Sequence, residues 1–153
     1  MWRTQRAGTR VIGYTTGVYD MFHIGHLNVL RRAREACDHL VVGVTTDELS
    51  LAAKGKTPIV PFEERLDIVR AIRHVDEVVP QTSMDKLEAW EKVGFDAVFV
   101  GDDWKGTDKW NALEREFAVR GVSVHYFAYT QHTSSTMLRA ALTRITESGS
   151  AAG

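Results

Sequence analysis

A single cysteine, Cys37, is all the thiol chemistry in this 153-residue sequence. That excludes an intramolecular disulfide and any multi-cysteine metal site, and it suits a reducing compartment, so the expected location is cytoplasmic. No apolar run comes near the roughly 18 residues that a membrane span requires, so no membrane partner is expected. The segment Met1 to Arg10 is basic and has no apolar core, so it is not expected to act as a secretory signal. Net charge is also nearly absent: 19 Lys+Arg against 20 Asp+Glu leave −1, which gives no electrostatic case for a nucleic-acid partner. Three motifs are missing as well. The first turn carries no G-x-G-x-x-G, there is no Walker loop G-x-x-x-x-G-K-[ST], and there is no G-x-S-x-G elbow.

What is present is an ordinary globular composition, 44% hydrophobic and 25% charged, at a length that fits one domain. Short β-branched runs occur at Val11–Tyr14, Leu40–Thr45, Glu77–Val79, Ala97–Val100 and Val122–Phe127, and they read as buried strands. Helical stripes lie between and after them: Phe62, Leu66, Val69, Ile72; Met84, Leu87, Trp90, Val93; Trp110, Leu113, Phe117; and Met137, Leu138, Ala141, Leu142, Ile145. Strands that alternate with helices imply an α/β fold, a Rossmann-like doubly wound five-stranded parallel sheet with helices on both faces. The domain is expected over 10–146, with 1–9 and 147–153 as flexible tails.

In such a sheet, ligands bind beyond the carboxyl ends of the strands. The first strand is followed by Gly17, Val18, Tyr19 and Asp20, then by His23-Ile24-Gly25-His26 at the start of a helix. Two histidines three apart on a helix lie on one face. The glycine between them lets a ligand approach the backbone, and the helix start supplies N–H groups and partial positive charge for phosphate. Zinc ligation by the histidines would need a third ligand from His132, Asp20 or Asp102, and a plain capping role is the other alternative. After the second strand, Lys54 and Lys56 flank a glycine in a loop, either as a solvated segment or closing over a polyphosphate. Asp102 ends the fourth strand, as a turn residue or as a contact to ribose or Mg²⁺. Thr130 and Thr133-Ser134-Ser135-Thr136 precede the last helix, where an N-cap is expected, with N–H groups to spare for an anion.

These residues resemble the HxGH nucleotidyltransferase superfamily and, within it, the cytidylyltransferases, above all those acting on glycerol 3-phosphate. The likeness runs from about Arg10 to Leu142. It rests on Thr16 to Asp20, His23 to His26, Leu40 to Glu48, Glu63-Glu64-Arg65, Arg73 to Val78 and Gly101-Asp102-Asp103-Trp104. The resemblance implies that His23 and His26 hold nucleotide phosphates, that Lys54 and Lys56 contact phosphates from a mobile loop, and that Arg73 lies at the active site. It further implies that Asp102 contacts the nucleotide and that Asp20 lies near metal and acceptor. Mg²⁺ as cofactor and a homodimer come with the family. One departure stands out: where the family reads R-T-x-G-I-S-T-T, this sequence reads Tyr129-Thr130-Gln131-His132-Thr133-Ser134-Ser135-Thr136. Tyr129 cannot grip a phosphate as an arginine does. The expected activity is transfer of a cytidylyl group from CTP to an alcohol phosphate. The alternatives are adenylyl transfer from ATP to a phosphorylated acceptor, and a nucleotide-binding regulatory protein without turnover.

Overall fold

The computed structural model describes residues 10–128 and 134–151. The strands are β1 (Ile12–Gly17), β2 (His39–Thr45), β3 (Glu77–Gln81), β4 (Ala97–Gly101) and β5 (Ser123–Phe127). The helices are α1 (Ile24–Glu35), α2 (Asp47–Lys54), α3 (Phe62–Arg70), α4 (Lys86–Val93), α5 (Asp108–Val119) and α6 (Ser135–Ala151), with a 3₁₀ turn at Asp102–Trp104. All strand pairs are parallel, in the order β3-β2-β1-β4-β5. The chain winds outward from β1 to β3, crosses over, and winds outward again through β4 and β5. The direction reverses between β1 and β4.

The strand pattern sorts side chains by parity. Leu40, Val42, Val44, Ala97 and Phe99 join Leu30 and Ala33 of α1 and Val69 of α3 in one core layer. Tyr14, Val41 and Val98 join Phe95, Phe117 and Val122 in the other, packed against Leu87, Trp90 and Leu113. Alternation with period two is what a sheet covered on both faces requires. Gly13 of β1 leaves no room for a side chain: a Cβ there would lie 2.6 Å from the Phe99 ring of β4 and 2.7 Å from Cys37 Sγ, just past α1.

One device recurs at the amino-terminal edge of the sheet. Asp38, Asp76 and Asp96 each precede a strand, and each carboxylate accepts the amide of a neighbouring strand's first residues: Val11 at 2.8 Å, Leu40 at 2.8 Å and Ile12 at 2.9 Å. Each of these aspartates returns its own amide to the carbonyl of the same residue. These reciprocal pairs fix register before the first ladder bond forms.

The structure shifts several expected boundaries. β1 begins at Ile12 and runs to Gly17, so part of the expected first turn belongs to the strand. Lys54 is not in a loop but ends α2, a helix capped by Thr46 at its start and by Gly55 at φ 72° at its end. That left-handed angle favours glycine. α6 continues to Ala151, into the segment expected as a tail.

Candidate active site

The turn after β1 is backbone under strain. Tyr19 and Met21 have φ of 54° and 49°, angles that side chains other than glycine seldom adopt. Gly17 is required for a different reason, since a Cβ there would lie 2.9 Å from the Tyr19 ring. Two buried charged residues hold the turn in place. Arg65 of α3 is fully buried. Its Nη1 donates to the carbonyls of Val18 at 2.6 Å and Thr45 at 2.8 Å, its Nε to Val60 at 2.8 Å, and its Nη2 pairs with Asp47 at 2.7 Å. Asp20, 5% exposed, accepts the amides of Ile59 and Val60, each at 2.9 Å, and pairs with Arg139 at 3.2 Å. Its own carbonyl accepts the Ser135 hydroxyl at 2.6 Å.

His23 caps α1. Its Nδ1 accepts the Gly25 amide at 3.0 Å, while His26 Nδ1 accepts the His23 amide at 3.2 Å. The two rings stack at 3.9 Å between centroids. Both Nδ1 atoms are acceptors, so in each neutral ring Nε2 carries the hydrogen. Burial keeps them neutral: it pulls His26 down to about 4, with help from neighbouring His23 and against the charge of Asp20, and it lowers His23 as well. The pair is thus two neutral N–H donors, not two cations.

A cavity of about 690 Å³ opens at the carboxyl edge of the sheet, lined both by the residues after β1 and by those after β4. That is the topological switch point, where open α/β sheets place ligands. Gly17, Val18, Tyr19, Asp20, His26, Lys54, Lys56 and Ser135 all line it. His23 stacks against His26 without lining the cavity. Ser134 is the expected cap: its hydroxyl accepts the Met137 amide at 3.0 Å. Asp102 begins the exposed 3₁₀ turn, beside Gly101 and Trp104 that do line the cavity.

Arg73 lies elsewhere. It is exposed, on the connection between α3 and the start of β3, hence at the amino-terminal edge. In a parallel sheet that edge is opposite the cavity, so within one chain Arg73 does not join the site. Tyr129, Thr130 and His132 lie outside the described residues. No group of three or more His, Cys, Asp or Glu among the described residues could hold a metal ion.

Three basic residues of the cavity were not anticipated: Lys86, Lys109 and Arg139. Lys86 Nζ donates to Thr16 Oγ1 at 2.7 Å, and burial, with Lys109 and Lys54 nearby, pulls its pKa down to about 8. Burial, and then Lys56, also lowers Lys54. Arg139 bonds Thr57 O at 3.1 Å as well as Asp20. With Lys54 and Lys56, five basic side chains line the cavity against one carboxylate, that of Asp20, which is already committed. Lys54, Lys56 and Lys109 are exposed and Lys86 and Arg139 half-buried, and such an excess of positive charge around one cavity favours an anion there. The one sequence signal for Lys86 is its place after a strand's carboxyl end, which does not by itself separate it from a solvated lysine at a helix start.

The chain is similar to several cytidylyltransferases. The glycerol-3-phosphate cytidylyltransferase of Staphylococcus aureus is 36% identical over 131 residues, covering 85% of this chain and 92% of that enzyme. An ethanolamine-phosphate cytidylyltransferase of Arabidopsis thaliana is 41% identical over 107 residues, 67% of this chain, which spans only 25% of that longer relative. Among solved structures, a lipopolysaccharide core biosynthesis protein from Thermoplasma volcanium superposes with a TM-score of 0.67 at 25% identity, covering 82% of this chain and 100% of the other. The match to the Cytidylyltransferase-like family extends over residues 14–141, from the middle of β1 into α6, and the chain belongs to that family.

Proposed function

We propose that the protein transfers the cytidylyl group of CTP to an alcohol phosphate, glycerol 3-phosphate or a close analogue, releasing pyrophosphate and forming a CDP-alcohol. The observation that carries this reading is the cavity itself: five basic side chains line it at the switch point, with His26 on its wall and neutral His23 stacked against His26. The similarity to the glycerol-3-phosphate enzyme over nearly its full length supports the choice of substrates.

In this reading the acceptor's phosphate oxygen attacks the α-phosphorus of CTP and pyrophosphate leaves. The Nε2 hydrogens of His23 and His26 donate to the transferring phosphate, whose charge is spread in the transition state. Neutral donors that are already oriented need no reorganisation at that moment. Lys54, Lys56 and Arg139, with the amides at the start of α6 near Ser134 and Ser135, hold the departing phosphates. Gly17, Val18 and Tyr19 present backbone to the nucleotide. Mg²⁺ would neutralise pyrophosphate charge when bound. Asp20 would have to release Arg139 to serve as its ligand, so the residues present favour an ion held chiefly by substrate phosphates. The family resemblance carries a homodimer with it, and the use of CTP carries a cytoplasmic location.

The test is a pyrophosphate-release screen that crosses four nucleoside triphosphates with a panel of alcohol and sugar phosphates. CTP with glycerol 3-phosphate or a near analogue is expected to give the highest rate. ATP-dependent turnover would replace this reading with adenylyl transfer. CTP binding without release under any acceptor would make the protein a nucleotide-binding regulator. Light scattering of the purified chain checks the dimer.

A further inference from the structure

The main cavity has two unlike sides. Lys54, Lys56 and Lys86 come after β2 and β3 and stand on one of them. On the other, β4, β5 and the chain after β4 contribute Phe99, Val100, Gly101, Trp104, Trp110 and Phe127, and Lys109 is the one charged lining residue described there. The basic side suits phosphate, and an apolar, aromatic side suits the flat base of a nucleotide. Phe127 is the part of that wall which the sheet holds least. It ends β5, an edge strand paired with β4 alone, and Gly101 with Phe127 is the last pair of their ladder. The Phe127 ring is half-buried and stacks on Phe99 at 5.4 Å between centroids.

Arg32 of α1 holds the end of β5 from outside the sheet. Its guanidinium carbon lies 4.5 Å from the centroid of the Phe127 ring. Its Nη1 donates to the carbonyl of Ala128, one residue past the ladder, at 3.2 Å and across 96 positions of chain. Arg32 is exposed and forms no ion pair with any described carboxylate. Its neighbours are engaged differently: Arg31 donates to Asn28, and Arg34 pairs with Asp76. An exposed cation–π contact adds little to folding, so this one has more consequence for where the ring sits than for whether the chain folds. The helix that carries it also faces the cavity. Val29, one turn before Arg32, and His26, near the start of α1, both line it.

Resting on the transferase reading, we infer that Arg32 is a positioning residue for the nucleotide: it fixes Phe127 as the wall against which the base lies, without touching substrate itself. One helix then serves both ends of the nucleotide. The first turn of α1 presents His26 to the transferring phosphate, and Arg32 sets the base wall relative to that same helix. The base meets this wall alike before and during the reaction, so the contact acts on binding rather than on the chemical step. A phosphate chain without a base does not reach the wall and does not register the loss of Arg32. A lysine at this position keeps a cation over the ring, and a methionine does not.

Isothermal titration of the full chain with CTP, and separately with inorganic tripolyphosphate, tests this. Arg32→Met should weaken CTP roughly 3- to 10-fold, the scale of one cation–π contact with one charged hydrogen bond, and leave tripolyphosphate affinity within about 2-fold. In turnover the same variant should raise KM for CTP with kcat retained. Arg32→Lys should restore most of the CTP affinity. In a Phe127→Leu background, Arg32→Met should weaken CTP no further. Equal weakening of CTP and tripolyphosphate would assign Arg32 to the phosphates and overturn the inference. Unchanged CTP affinity in Arg32→Met would overturn it too, as would a full further loss in the Phe127→Leu background. If Arg32→Met does not fold, Arg32→Gln removes the charge and the same contrast between the two ligands decides. That contrast, without pyrophosphate release from any substrate pair, would sink the transferase reading and leave the role of Arg32 standing. Turnover of CTP with an affinity indifferent to Arg32 would do the reverse.

Discussion

Asp20 and Arg139 meet at 3.2 Å although 119 positions separate them in the chain. The pair ties the first βα turn to the last helix. Through the amides of Ile59 and Val60 and the carbonyl of Thr57, it also fixes the strap that follows Lys56. One carboxylate thus organises three segments that each contribute to the cavity.

Replacing Asp20 by Asn halves its capacity to accept, because an amide offers one oxygen where the carboxylate offers two. One of the two strap amides then loses its partner in a part-buried position. The expected loss is about 1–3 kcal/mol of stability. Urea denaturation reads the loss, and limited proteolysis should show faster cleavage between Lys54 and Pro61. Unchanged stability and cleavage would mean that the strap does not depend on Asp20.

His26→Ala should lower turnover by roughly 10²–10³, the scale for removing one oriented donor, and should leave the fold intact although its ring also accepts the His23 amide at the start of α1. His23→Ala should cost similar turnover and, in addition, about 0.5–2 kcal/mol of stability, because its ring also caps α1. Steady-state kinetics and thermal melts on both variants separate the two roles. Near-wild-type rates in both, at saturating substrates, would remove the histidines from the chemistry.

The depressed pKa of His26 sets a pH dependence. In the unfolded chain a histidine gains its proton near 6.5, whereas in the folded protein burial holds His26 neutral down to about 4. Between these values the unfolded state binds the proton and the folded state does not, so stability falls as pH falls through this window. Denaturation midpoints at pH 7, 5.5 and 4.5 should decline, and His26→Gln should flatten the decline. Equal slopes in wild type and variant would assign the effect to other groups.

Arg65→Met should be the most damaging single change on this side of the sheet. It removes three carbonyl contacts and the partner of Asp47 at a fully buried site. Asp47 keeps some solvent, so the cost is expected near the lower end for a broken buried pair, about 3 kcal/mol. Turnover measured well below the melting temperature should also fall, because the strained turn at Tyr19 loses its anchor. A loss under 1 kcal/mol by denaturant titration would contradict that role.

The sheet was legible because its strands are buried on both faces and so read as unbroken β-branched runs, such as Leu40-Val41-Val42-Gly43-Val44. The His23–His26 site was legible because capping geometry is local. Lys86 was not: a lysine at a helix start reads as solvated surface unless strand order is known. The crossover from β3 to β4 must pass over β2 and β1, and that passage carries Lys86 to Thr16. Arg139 was hidden for a similar reason, since its partner lies at the other end of the chain. For Arg73, strand direction alone points away from the cavity, and it was family resemblance that placed it there. Tyr129, Thr130 and His132, where the sequence departs from the family, lie outside the described residues.

The aspartate clasps at Asp38, Asp76 and Asp96 have a consequence for how such a protein diversifies. They set the alignment of four of the five strands from the amino-terminal edge, opposite the cavity. Loops on the opposite side can then be lengthened, swapped or recharged without letting the strands slip. The scaffold can keep its shape while the lining of its cavity changes, and three short acidic side chains at the far edge of the sheet are what make that exchange safe.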